Sequence, residues 1–251
     1  MAMAANAGAT AEDLQLAFGV DPAVAQIMLR LTFDLRRLKD IHSIESKIEA
    51  KRGMLPDYRE WCELRLAAGA AAEGNDLPSS GADDVLPTMM VWAIDTGNWP
   101  LALELAEHVV RFNVSLPDRY KRSAPALIVE EISLYAVKVQ SRGDIFPLWV
   151  LERVAVLTAP PIDMHDEIRA KLMKAIGFEL AREADEMESG TPEHLDAARK
   201  ALGPLQRAQD LHDRVGAKGR IKQMQKVLAT AATEQAALDA AKEQAGDTPA
   251  A

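Results

Sequence analysis

Three features of the sequence predict an all-α chain. Aromatic residues make up only 5% of 251 residues that are rich in alanine and leucine, a composition that favours helix over sheet. Apolar residues recur at spacings of three and four. The stretch DTGNWPLALELAEHVVRFN, residues 95–113, reads as the bend between two helices. The expected architecture is a long N-terminal amphipathic, coiled-coil-like helix followed by a tetratricopeptide-like bundle of helical hairpins. In the quoted stretch Gly97 ends one helix, Trp99 fills the space behind the turn, and Ala102 lets a neighbouring helix approach closely. Trp92, on the preceding and almost wholly apolar helix, joins this structural set. On the next helix Glu104, Glu107, His108 and Arg111 form a narrow polar stripe, so the remaining face is covered on two sides.

Each element follows from its own signals. Residues 1–20 are small and polar before a weak apolar pattern at Leu14, Leu16 and Phe18, and read as a flexible N-terminus. Asp21-Pro22 is an N-cap with proline in the first turn, opening a helix to about Arg52. Its seam of Ile27, Leu31, Leu38, Ile41 and Ile48 has heptad-like spacing, with Asp34 and Glu45 as polar interruptions. Such a helix is marginal alone, so it pairs with a sister copy or folds back onto its own domain. Residues 21–68 are therefore assigned to oligomerisation and DNA contact, with a short helix carrying Tyr58, Trp61, Leu64 and Leu66. Residues 69–82 read as a linker.

A helical-hairpin domain is expected over 83–230. Asp83 or Asp84 caps its first helix, which tolerates Pro87 in the opening turn. Further helices start near Ser123 and at Asp144, run from Met164 to about Met187, begin at Thr191-Pro192, and include Ile221, Met224, Val227 and Leu228. Arg142-Gly143 closes the first of these, and Pro160-Pro161 stops the second. Residues 231–251 have helical propensity but little to bury, and are expected to be weakly ordered.

With 29 Lys+Arg against 38 Asp+Glu the formal charge is -9, which argues against a whole-surface DNA binder while leaving room for local basic patches. One cysteine, Cys62, allows neither an internal disulfide nor a cysteine zinc cluster. An apolar run of 18 residues and a secretory leader are both missing, so a location in the cytoplasm is expected. Walker-type, GxSxG and GxGxxG motifs are missing too, which excludes a P-loop nucleotide hydrolase. Glu104 with His108, and His165 between Asp163 and Asp166, lack the third ligand of a zinc site. Asp83 and Asp84 offer adjacent carboxylates to magnesium, but a helix cap explains them more simply. The sequence assigns no catalytic residue, metal ligand or cofactor.

Three basic clusters interrupt the acidic chain. Residues 30–52 hold seven Lys/Arg against four acids, with Arg36, Arg37 and Lys39 at their centre. The RYKRS loop holds Arg119, Lys121 and Arg122 beside Tyr120 and a helix start at Ser123. The third comprises Arg214, Lys218, Arg220 and Lys222, with Lys226 beyond. Phosphate contact needs such clusters on one surface, preferably beside helix N-termini. Solvated helix faces would show the same composition.

The run from Leu38 to Lys138 resembles the small terminase subunits of cohesive-end tailed phages, a family often labelled terminase endonuclease subunit. The resemblance is carried by chain order: the basic helix LKDIHSIESKIEAKRGMLPDY, the short element EWCELRL, a loop, and the block from DDVLPTMMVWAIDTGNWP to EEISLYA. DEIRAKLMKAIGFEL resembles a later part of the same family, and the likeness extends over roughly 25–230. It implies a subunit that binds double-stranded phage DNA, assembles as a homo-oligomer, and passes DNA to a large subunit carrying the ATPase and nuclease, in the host cytoplasm and without a membrane. Two departures stand out. The chain ends in DAAKEQAGDTPA rather than a basic extension, and no nuclease motif carries over. A metal-dependent endonuclease subunit and a tetratricopeptide-like scaffold that binds only protein remain the alternatives.

Overall fold

The computed structural model describes residues 21–246, which contain α-helices, one 3-10 turn and no strand. The expected flexible segment at 1–20, and residues 247–251 of the expected tail, lie outside the described residues. The chain divides into two compact units, Met1–Ile128 and Val129–Ala251.

In the first unit, α1 spans Pro22–Asp40 and α2 spans Ile44–Met54. The single helix expected over 21–52 is thus interrupted. Ile41 takes an extended conformation after α1, and the Ser43 hydroxyl accepts from the Ser46 N–H at 3.3 Å. A local cap of this kind offers the backbone an alternative to continuing the helix. The heptad seam is interrupted with it. Leu31 and Leu38 are buried within the chain, while Ile27, Ile41 and Ile48 are half-buried, which is the fold-back alternative. Asp34, on the same seam, accepts from the Tyr58 hydroxyl at 2.7 Å.

A 3-10 turn at Leu55–Tyr58 leads into α3, Arg59–Ala71, followed by α4, Val85–Asp95, and α5, Trp99–Arg111. Helix α4 is the centre of this unit, with every residue from Val85 to Ile94 buried. Trp92 is 2% exposed and meets the edge of the Tyr58 ring at 5.8 Å. The turn after α4 is a Schellman motif: Gly97, at φ +70°, donates to Ile94 at 3.0 Å, and Asn98 donates to Ala93 at 2.9 Å. Ala102 is fully buried as expected, but Trp99 is only half-buried. At the first position of α5 the indole lies at the edge of the hairpin, and Trp92 takes the central place.

Two further expectations change here. Neither Asp83 nor Asp84 caps α4 through its side chain; Asp84 serves by its backbone carbonyl, and the Asp83 carboxylate turns back to Ser79 and Ser80. The segment 69–82, expected as a linker, lies inside the first unit. Helix α3 continues to Ala71, and Arg111 donates to the carbonyls of Gly69, Ala72 and Gly74 at 3.3, 3.2 and 3.0 Å. His108, placed by its spacing on a polar stripe, is buried against Gly69 and the Phe112 ring.

The unit division falls within α6, Ala124–Gln140, which Gly143 closes at φ +82°. The second unit continues with α7, Leu148–Leu157, α8, Asp166–Asp185, α9, Pro192–Leu211, and α10, Lys218–Gly246. Helix α7 starts at Leu148 rather than Asp144, because Phe146 is buried and its N–H donates to the Glu179 carboxylate at 3.1 Å. Small residues bring α8 and α9 together. Ala170, Ala181, Ala184, Ala198, Ala201 and Ala208 are fully buried, and a Cβ added at Gly177 would fall 2.6 Å from Leu205 Cγ. Thr191 caps α9 as expected, accepting from the His194 N–H at 3.2 Å. Helix α10 continues through much of the expected tail as far as Gly246, with residues 232–239 exposed.

Candidate nucleic-acid interface

The strongest basic site is the connection between α5 and α6. Arg119 donates to the hydroxyl of Thr88, a residue buried in α4, and its guanidinium lies 4.9 Å from the Tyr120 ring centroid. These contacts brace the loop from beneath. Lys121 is exposed and donates to the Asp118 carbonyl at 3.0 Å, and Arg122 is exposed beside it. Ser123 follows, its carbonyl receiving the Leu127 N–H of α6 at 3.0 Å. Exposed cations therefore stand next to the amides of a helix start, the arrangement that attracts phosphate. Arg119 is itself exposed, and its hydrogen bond to Thr88 fixes where its guanidinium stands. Thr88 is the residue that sequence reading misses, because its partner is 31 positions away and nothing in the intervening pattern joins them.

The other two clusters divide in the same way. Around α1 and α2, Arg30 pairs with Asp57 at 2.6 Å, Lys51 with Asp95, and Arg52 with Glu49. Arg36, Arg37 and Lys39 remain on the exposed side of α1. In the second unit Arg220 is held by Asp185 at 2.6 Å and is only 17% exposed. Arg214, Lys218 and Lys222 are exposed.

Carboxylate chemistry is less developed. Burial raises the Asp83 carboxyl, but hydrogen bonds from Ser79 and Ser80 and the nearby Arg65 outweigh that effect and hold it below its ordinary range. Its oxygens accept from the Ser80 N–H and hydroxyl at 2.8 and 2.7 Å, organising the turn before α4. Among the described residues no group of three or more His, Cys, Asp and Glu side chains is placed to share a metal ion. Cys62 is buried, and desolvation together with Glu104 and Glu63 pushes its thiol up to about 12, away from nucleophilic use.

The model of the phage small terminase subunit family matches residues 28–167, more than half of the chain. The chain belongs to that family. It is also 33% identical over 203 residues to the terminase, endonuclease subunit of Escherichia phage P2, covering 81% of this chain and 73% of that protein. A role in phage genome packaging follows from membership of the small terminase subunits. No solved structure matches, so the tetratricopeptide likeness remains an expectation. No helix among the described residues is long and apolar enough to cross a membrane.

Proposed function

We propose that this small terminase subunit recognises double-stranded phage DNA, assembles as a homo-oligomer, and delivers the DNA to the large ATPase/nuclease subunit. The observation that carries the reading is the braced loop at the start of α6, where Lys121 and Arg122 are exposed on a support formed by Arg119 and Thr88. Arg36, Arg37 and Lys39 form a second candidate surface, and Arg214, Lys218 and Lys222 a third. Each cluster is small. In an oligomer weak contacts suffice, since linked sites raise the effective concentration of the next. The net charge of -9 then limits attachment away from these patches.

The reading is tested by measuring affinity for packaging-site and unrelated duplexes between about 50 and 200 mM salt. Each phosphate contact adds about 0.9 to the slope of log affinity against log salt, so Lys121→Glu with Arg122→Glu should lower it by about 1.8 per engaged subunit. A fourfold salt increase should then narrow the gap between native and variant proteins by roughly 12-fold. Both duplexes should weaken alike, because phosphate contacts position without selecting sequence. An unchanged slope moves the surface to another cluster. Absence of binding by the native chain at low salt removes the DNA role and leaves a protein scaffold.

The phage P2 relative is a terminase endonuclease subunit by name, which favours a second reading, a metal-dependent endonuclease subunit. Asp83 and Asp84 are the carboxylates to test. Magnesium-dependent nicking that disappears in Asp83→Asn with Asp84→Asn, without unfolding, would promote this reading above the first.

A further inference from the structure

The side of α1 opposite the buried seam carries an exposed apolar pair. Leu29 is 38% exposed and Phe33 is 56% exposed. Arg36 continues the row, its guanidinium 6.0 Å from the Phe33 centroid. Spacings of four and three place all three side chains on one helical face. Arg36 has no ion pair among the described residues. An exposed phenylalanine flanked by an arginine is the composition of an interface anchor.

Elsewhere in the same unit lies a groove of about 540 Å³ between α3 and α5. Leu55, Cys62 and Met89 form its floor, and Leu66 and Leu101 stand at its sides. No residue of α1 contributes to its walls. Of the charges around it, Arg59 pairs with Glu63 at 3.3 Å and Arg52 pairs with Glu49. Glu104 has no ion pair among the described residues, and it leaves the rim with an acidic charge on α5. The groove is large enough to take two apolar side chains, and lies in the size range of ordinary binding clefts.

We infer that the Leu29–Phe33–Arg36 face of α1 in one copy seats in the α3/α5 groove of a second copy, with Arg36 meeting Glu104. The complementarity decides the occupant: an apolar helix row ends in a cation, the apolar groove bears an anion, and neither has an ion pair among the described residues. An amphipathic helix laid in an apolar groove is a recurrent recognition mode. Because knob and groove occupy different surfaces, each copy donates one and accepts one, giving a head-to-tail contact that closes a ring or continues as a filament. This deepens the oligomer part of the proposed function, leaving Arg37 and Lys39 of the second basic cluster to DNA, and offers another contact beside the Ile27–Ile48 seam, whose Leu31 and Leu38 are buried within the chain.

The test uses the full chain, with mass measured by light scattering and sedimentation across a concentration series. Phe33→Glu should raise the concentration at half-dissociation at least tenfold with an unchanged helical circular dichroism signal, since Phe33 is exposed. Arg36→Glu and Glu104→Arg should each weaken assembly several-fold, and the two together should return it to within about threefold of the native chain. Native assembly that ignores Phe33→Glu, or a charge exchange without recovery, overturns the inference while leaving oligomerisation intact. Occupation of the groove by residues 1–20 of the same chain would produce that same unchanged mass and likewise overturn it. A native chain that is monomeric at every concentration removes the oligomer reading as well. DNA affinity of that monomer, measured separately, decides the remaining part of the function.

Discussion

Gly177 and Leu205 should behave as one packing unit across α8 and α9. A methyl group at Gly177 would lie 2.6 Å from Leu205 Cγ, 2.7 Å from Cδ2 and 3.1 Å from the Leu205 backbone nitrogen. The last contact is with backbone, so turning the leucine cannot relieve all of the overlap and the helices must separate slightly. For Gly177→Ala, about 1 kcal/mol gained in helix propensity opposes about 1 to 3 kcal/mol of overpacking. The net expectation is a loss of about 1 kcal/mol. Leu205→Ala, at a fully buried position, should cost about 2 to 5 kcal/mol through lost burial and cavity formation. In the double variant the new methyl enters the vacated space, so the side-chain overlap is gone and only the 3.1 Å backbone contact still opposes the propensity gain. Gly177→Ala should therefore be about neutral in the Leu205→Ala background, a coupling of about 1 kcal/mol. Urea unfolding followed by circular dichroism, with equal m-values in all four proteins, measures this. Additivity within about 0.5 kcal/mol would refute the argument that glycine permits the close approach.

Trp92→Ala should cost about 3 to 5 kcal/mol, while Trp99→Ala should cost roughly half as much, reflecting deep and partial burial of similar rings; equal losses in chemical denaturation would reverse their assigned places in the hairpin. Burial, with Arg65 and Arg111 nearby, holds His108 below its ordinary value of 6.5. The unfolded chain then takes the proton more readily, so this contribution to stability is present above that value and is lost as pH falls below it towards the folded pKa. His108→Gln should flatten the stability profile between about pH 7 and 5, and a slope identical to that of the native chain would contradict the assignment.

Local chemistry written within a few residues was legible in the sequence. Asp21-Pro22 opens α1, Thr191-Pro192 opens α9, and Gly97 and Gly143 end helices through the left-handed conformation expected of them. Helical class follows from these signals together with the three-and-four spacing, because both depend on backbone geometry and nearest turns. Periodicity also marked one side of α1 as buried, but it could not name the partner covering that side. Ser43 shows how a short cap overrides a longer pattern: one local hydrogen bond accompanies the break in what otherwise reads as a continuous heptad helix.

The sequence by itself determined the helical class, the main turns, the positions of the basic clusters and the family likeness, since these are properties of composition and contiguous pattern. Only tertiary structure decided which cations are engaged by distant side chains. Arg119 and Arg220 look equivalent to Lys121 and Lys222 in the sequence, yet Thr88 and Asp185, each more than 30 positions away, bind the two arginines, Arg119 staying exposed and Arg220 becoming mostly buried. It also decided that Trp92 rather than Trp99 occupies the centre of the hairpin, that residues 69–82 belong to the first unit, and that a groove opens between α3 and α5. The physical reason is common to all of them: burial and ion pairing depend on distances between segments, and a one-dimensional pattern records which side chains are available but not which of them meet.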